Sequence, residues 1–320
     1  MKKTLSLLFL GAMVFVVATY CSAATPQFGM IRIGTASMTG NSFVQGSAIA
    51  QMITEQVDGM RVTSQATGGS ADNCFLLQDG EIEIGFVMAS TAKEASTGTG
   101  AFEGNQIDTL RGVGVAVLNQ FHIIVNNRAN ITHPSDLRGR RIGVATMGGG
   151  QEFNAVILLN EFGIGGDEFT RIFSTMGEAL DMVRTGQVDA VIYATLMGNA
   201  NVFDILSSGT CTLLSLSQED VDRIVANRSE FGPAIIPAGT YPDVPYDITT
   251  ISSSMLLLTR ECADEEAIYA FTRALFENND ELIEQVASLA TMRPENATVG
   301  MSVPFHPGAE RFLREIGALP

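Results

Sequence analysis

Three stretches of this chain are rich in glycine and in hydroxyl or amide side chains. They are TASMTGNSF (35–43), ATGGSADN (66–73) and TMGGGQE (146–152). Each lies between a strand-like run and a helical pattern. A strand that feeds such a loop into a helix leaves the first helical N–H groups without acceptors and puts the positive end of the helix dipole there. That arrangement holds anions. One glycine-rich loop is often only a tight turn. Two or three, each opening a helix and each carrying Ser, Thr or Asn, point to a binding function.

The nucleotide fingerprints fail. A P-loop needs a fixed spacing and a lysine, but Gly34 to Gly40 is one residue too long and Asn41 stands in the lysine position. Gly148 and Gly150 begin a dinucleotide pattern, and Phe153 occupies its third glycine position. A carboxylate met by N–H groups and hydroxyls fits the loops better than a phosphate. No G-x-S-x-G, H-E-x-x-H or Cys/His metal spacing occurs, so neither an enzyme nor a metal or other cofactor is expected. Of the three histidines, His133 and His306 sit beside prolines and read as surface or structural residues. His122 opens a strand and reads as core or hinge packing before ligand contact. The acid pairs Glu81/Glu83 and Glu265/Glu266 fall on solvated faces by pattern.

The elements that must position these loops follow from periodicity. Met30–Gly34, 60–65 and 82–88 read as strands, with a helix after the first and another over 74–79. Val44, Ala48 and Met52, with Ile49, Ile53 and Val57, give the first helix two apolar i,i+4 rows. This β-loop-α order is that of a parallel sheet with helices on its faces. Strands are expected at 111–117 and 122–126, followed by a connector at 131–140. The pattern then restarts: strand 141–145, glycine loop, helix 153–162, strand 170–175, helix 177–185 and strand 188–194. A Pro/Gly-rich crossing (236–247), a long strand (248–260) and helices at 264–278, 280–288 and 307–316 complete the chain. The fold class is α/β: two lobes, each with a largely parallel central sheet, lobe I from 24–125 and 249–320 and lobe II from 126–248. More than one crossing joins them, and ligands of such sheets lie in the crevice at the strand C-termini.

The 320 residues carry a net charge of −16, with 46% hydrophobic and 17% charged residues. A field of that sign repels nucleic acid and anionic lipid surfaces. Lys2 and Lys3, the apolar run Leu5–Val17 and the small residues up to Ala23 read as a secretory signal peptide cleaved after Ala23. The rival reading is a membrane anchor, but the run is short against the roughly 20 residues of a span. Bulky Tyr20 before Cys21 speaks against lipid attachment. Residues 1–23 are thus expected to be removed and the mature chain to act in the periplasm without stable membrane insertion. Cys74, Cys211 and Cys262 then remain. They read either as buried thiols or as one disulfide, Cys74–Cys262, plus a free thiol.

Several stretches carry a family resemblance. IRIGTASMTGNSF (31–43), RVTSQATGGSADNCFLLQDGEIEIGFV (61–87), DLRGRRIGVATMGGGQE (136–152), IIPAGTY (235–241) and VPFHPGAERFLREIG (303–317) are similar in order and spacing to the motifs of the TAXI family. These are the solute-binding subunits of TRAP-type transporters. The resemblance implies a type II periplasmic-binding-protein fold, a small anionic organic solute (a dicarboxylate or an acidic amino acid such as glutamate or 2-oxoglutarate) and a TRAP membrane permease as partner. An exported ligand-sensing domain for a membrane receptor is the alternative. The chain departs from the family at Met88-Ala89-Ser90-Thr91 and at Gly148-Gly149-Gly150-Gln151-Glu152. Ser37, Thr39, Gly40, Asn41 and Phe43 are expected on the first wall of the ligand site, with Gly69, Ser70 and Asn73 at the second helix and Ser90 nearby. Gly148, Gly149, Gly150 and Gln151 are expected to supply donors from the other lobe, with Tyr193 and Thr195 closing over the ligand. Phe43 and Tyr193 are the expected apolar clamps.

Overall fold

A computed structural model describes residues 28–320, apart from Thr39, Thr146, Gly148 and Gly149. The signal-peptide reading of residues 1–23, Thr39, Gly148 and Gly149 therefore lie outside the described residues. The first half runs β1 (Gly29–Gly34), α1 (Asn41–Gln56), β2 (Met60–Gln65), α2 (Ser70–Asp79), β3 (Ile84–Met88), α3 (Ala89–Thr97) and β4 (Leu110–Asn126). β1 pairs in parallel with β2, from Gly29↔Met60 to Gly34↔Gln65, and with β3. The second half continues with β5 (Arg141–Ala145), α4 (Gly150–Glu161), β6 (Thr170–Phe173), α5 (Met176–Thr185), β7 (Ala190–Thr195), α6 (Ala200–Ser207), β8 (Cys211–Leu214), α7 (Gln218–Asn227) and β9 (Phe231–Ile236). β10 (Ile248–Arg260), α8 (Glu265–Glu277), α9 (Asn279–Gln285) and α10 (Pro307–Glu315) close the chain. Here β5 pairs in parallel with β6 and β7.

The two parallel triplets belong to one hydrogen-bonded run, β2-β1-β3-β10-β4-β7-β5-β6, because antiparallel β4 and β10 pass through both halves. β10 pairs with β9 over Ile248–Ser253 and with β3 over Met255–Leu258. β4 takes up β7 at Gln120. Both strands thus change partners within a few residues of Ser254. Each half packs helices on both sheet faces. In the first, α1, α8 and α10 cover one face and α2 and α3 the other. In the second, α4 and α7 cover one face and α5 and α6 the other.

The structure corrects several expectations. Residues 111–117 and 122–126 are one strand. Asn119 and Gln120 interrupt the apolar pattern, yet they pair with Ser253 and Ser252 of β10. α2 starts at Ser70 and α4 at Gly150, each earlier than the apolar pattern reveals, because a first helical turn needs no apolar residue. On α1, Val44 is 54% exposed, and the buried face holds Gln45, Gly46, Ile49, Ala50, Met52 and Ile53. Gly46 sets that face: a Cβ there would stand 2.6 Å from Thr35 Cγ2, so the helix comes down on the strands at this point. Among the described residues no disulfide forms: Cys74 and Cys211 are buried and free, and Cys262 is exposed and free. Burial pushes the Cys74 thiol up to about 12. Glu83 is half-buried and pairs with Arg32 at 2.8 Å, tying β3 to β1, where a solvated face was expected.

The histidines are structural. His133 accepts the Ser135 N–H at the head of a short 3-10 turn, Pro134–Leu137. His306 does the same for Gly308 at the start of α10. His122 is fully buried on β4. Its Nδ1–H donates to the Gln120 carbonyl (2.9 Å), and its Nε2 accepts from the Tyr241 hydroxyl (2.8 Å), which itself accepts the Gly198 N–H (3.0 Å). This chain of bonds ties β4 beside its partner switch to the loops after β7 and β9. Burial lowers the His122 pKa to about 4, so the ring is neutral.

The unfolded chain takes up a proton on this imidazole near pH 6.5 and the folded one only near pH 4. Stability is therefore expected to fall as pH drops through that window, by on the order of 3 kcal/mol from this group. His306, also lowered by burial, adds in the same direction. Denaturant midpoints at about pH 7.5 and about pH 4.5 are expected to differ less in His122→Gln than in wild type. Equal pH dependence in the two proteins would rule this account out.

Candidate functional site

The glycine loops end on one cleft between the two halves. Its larger cavity, about 310 Å³, is walled by Thr35 and Ala36 after β1, Gly68–Ala71 at α2, Phe86 and Met88 of β3, Thr91 and Glu94 of α3, and Gly150, Gln151 and Phe153 of α4. A neighbouring cavity of about 170 Å³ reaches Asn41 and Gln45 of α1, Val117 and Asn119 of β4, Tyr193–Thr195 of β7, and Asn199. Ser42, Met88, Gln151 and Met255 line both, so the two spaces form a continuous cleft. Its floor is the β4–β10 crossing, represented by Val117, Asn119 and Met255.

First-turn residues of four helices stand on these walls: Asn41 and Ser42 of α1, Ser70 and Ala71 of α2, Thr91 of α3, and Gly150 and Gln151 of α4. Each first turn has N–H groups with no intrahelical acceptor, and each helix brings the positive end of its dipole. Gly69 makes the entry to α2 with φ +101 and ψ −156, a region open essentially to glycine alone.

Many polar groups near the cleft are already engaged. The Asn73 amide donates to the carbonyls of Gly34 (3.2 Å), Thr35 (2.8 Å) and Phe86 (2.8 Å), clamping the ends of β1 and β3 together. Gln151 acts as a short strand segment: its Nε2 donates to Ala194 O (2.8 Å) and its Oε1 accepts Ala194 N–H (3.0 Å). Ser70 Oγ accepts the Met88 N–H at 3.1 Å. Among the described residues, the side chains of Asn41, Ser42, Thr91, Asn119 and Tyr193 line the cleft and make no hydrogen bond within the protein. These are the groups free to meet a solute. Glu94 is the one charged side chain among the described lining residues, and burial raises its pKa, with Glu230 adding to the effect.

The model of the NMT1-like family matches residues 33–317. The chain belongs to the NMT1-like family. Solved structures similar to this NMT1-like protein include a TctC solute binding protein from Polaromonas, at 13% identity and TM-score 0.53, covering 91% of this chain and 98% of that one. A protein from Bordetella bronchiseptica RB50 is similar at 14% identity and TM-score 0.50, over 91% and 89%. The periplasmic aliphatic sulphonate binding protein SsuA of Escherichia coli shares 15% identity over 91% and 84%, with TM-score 0.49. The α/β architecture is that of the periplasmic-binding-protein fold.

In this NMT1-like protein the expected site residues part company. Asn41, Gly69, Ser70, Gly150, Gln151, Tyr193 and Thr195 stand on the cleft walls. Ser37 is exposed in the loop, where its carbonyl accepts the Gly40 N–H, and Gly40 precedes α1 without reaching either wall. Phe43 is half-buried and off both walls, so the aromatic surface comes from Phe86 and Phe153 together with Tyr193. Asn73 is framework, because its donors are taken by main-chain carbonyls. Nor does it cap α2, whose N-cap is Gly69 with no side-chain bond. Ser90 is buried and reaches across to Asn154 of α4 at 3.4 Å. Sequence reading missed Ser42, Thr91, Glu94 and Asn119. Ser42 lay inside the hydroxyl-rich patch and was legible there. Glu94 had no local signal, being a single acid on the second turn of an alanine-rich helix.

Asn73→Ala would remove buried hydrogen bonds to three main-chain carbonyls, of which Thr35 O keeps the Thr67 hydroxyl, and the ligand-free protein is expected to lose about 2 kcal/mol of stability. Ser42→Ala removes an unengaged hydroxyl and is expected to change it by less than about 0.5 kcal/mol. Urea unfolding of both variants checks the assignment. An unchanged midpoint for Asn73→Ala would contradict the framework role.

Proposed function

We propose that this protein is an exported solute-binding protein of the TAXI type. It captures a small anionic organic solute, a dicarboxylate or an acidic amino acid, in the cleft and delivers it to a TRAP-type membrane permease. One observation carries this reading: four helix N-termini end on one cleft whose walls also hold unengaged hydroxyl and amide groups. A carboxylate placed there accepts N–H groups at the positive dipole ends. The expected lobes, 24–125 with 249–320 and 126–248, then close by bending where β4 and β10 change partners.

The role proposed is binding without turnover; among the described lining residues no hydroxyl is hydrogen-bonded to a base. No described helix is long and apolar enough to cross a membrane, and periplasmic delivery after cleavage behind Ala23 fits the N-terminal pattern. The likeness to a TctC solute binding protein supports the class of function through the fold they share.

The test is thermal unfolding of the mature chain, refolded to strip carried-over solute, against a panel of small acids and neutral controls. A true ligand at about 100 times its dissociation constant is expected to add about 2.7 kcal/mol of stability. Stabilisation by carboxylates supports the reading. Stabilisation by neutral or cationic solutes alone would overturn the anion site, and product formed from a bound solute would overturn the non-enzymatic role.

A further inference from the structure

We infer that Glu94 is an ammonium subsite of this cleft, so that the solute is an amino-carboxylate and not a deaminated mono- or dicarboxylate. The inference rests on the solute-binding reading above and narrows its substrate class.

Glu94 lies on α3 and lines the larger cavity, the same space that receives the first turns of α2, α3 and α4. It is half-buried and forms no ion pair with any described Lys, Arg or His. The other acids buried about as deeply along the chain are paired: Glu83 with Arg32, Glu161 with Arg228, and Glu152 with Arg171. Glu94 instead has a single main-chain donor, the N–H of Ala101, itself a lining residue. The turn at Gly100, with φ +57, lies directly against it: a Cβ there would fall 2.6 Å from Glu94 Oε2, and the carboxylate would have to shift. The carboxylate is positioned without being neutralised.

A partly desolvated carboxylate without a cation is unfavourable unless something supplies the charge. No described lining residue of either cavity is a Lys, Arg or His. A cation on the occupant would relieve that cost. Such an occupant needs an anionic end for the helix N-termini and a cationic end for Glu94, which is the charge pattern of an amino acid. A dicarboxylate brings a second negative charge toward Glu94 and is selected against.

Calorimetric titration of the stripped protein with the common L-amino acids, each compared with its 2-oxo acid, tests this directly. Wild type is expected to prefer the amino acid of the bound pair by at least about ten-fold. Glu94→Gln keeps the shape and removes the charge. It is expected to weaken the amino acid by about ten-fold and leave the oxo acid unchanged or tighter. Glu94→Gln is also expected to melt no lower than wild type when ligand-free, which separates lost binding from lost folding. Equal or better binding of oxo acids by wild type overturns the inference, as does equal weakening of both series in the variant. Either result leaves the binding role intact. Binding by neither series, nor by any member of the wider panel, neutral controls included, removes the binding role itself.

Discussion

The antiparallel pairing of β4 with β10 is the constraint on which the rest of this molecule depends. Each half has its own parallel triplet and its own helices, and the ladder between these two strands is the stretch of sheet that the halves share. Its middle is polar: Asn119 and Gln120 face Ser253 and Ser252 across the ladder. Small and amide side chains here keep the crossing thin and let cleft cavities form directly above it. Register shifts at Met255/Leu256 and Leu257/Leu258 concentrate twist at the same place. The direction of the crossing strands also decides which ends of β1, β3, β5 and β7 face one another, and hence which helix N-termini converge.

The cleft divides its polar groups into two sets. Asn73, Gln151 and Ser70 hold the backbone in shape, and each bond they make removes a partner from the solute. Asn41, Ser42, Thr91, Asn119 and Tyr193 remain open. Asn73 is fully buried and Ser70 and Gln151 are half-buried, where an unpaired polar group costs more than it would in open water. The open set lines the cleft, where a solute can meet those groups. Residue type alone does not separate the two. Asn41 and Asn73 each belong to a helix's first residues after a glycine loop, yet one lines the cavity and the other clamps two strands.

The glycine loops, the strands feeding them, the restart of the pattern near residue 141 and the late return of the chain were legible in the sequence, because each rests on local periodicity and on glycine and proline as punctuation. The segment from 200 to 236 was not. Its strands are four to six residues long, and α7 buries only Val221 and Ile224. Such short patterns do not stand out until neighbouring strands supply the burial. β4 was read as two strands for a related reason: the polar residues that break its apolar run are matched by serines more than a hundred positions away.

What the sequence determined by itself was the alphabet of the site: small and hydroxylated loops opening helices, an α/β order and an acidic chain without a catalytic constellation. These follow from local rules of backbone conformation and composition. The tertiary structure alone decided which of those residues face the cleft. It placed Asn73 and Ser90 inside the framework, brought Thr91 and Asn119 to the wall, and set Glu94 as the charge on it. Burial and orientation depend on how distant strands pair and on how closely helices approach, as at Gly46, and no window along the chain contains that information.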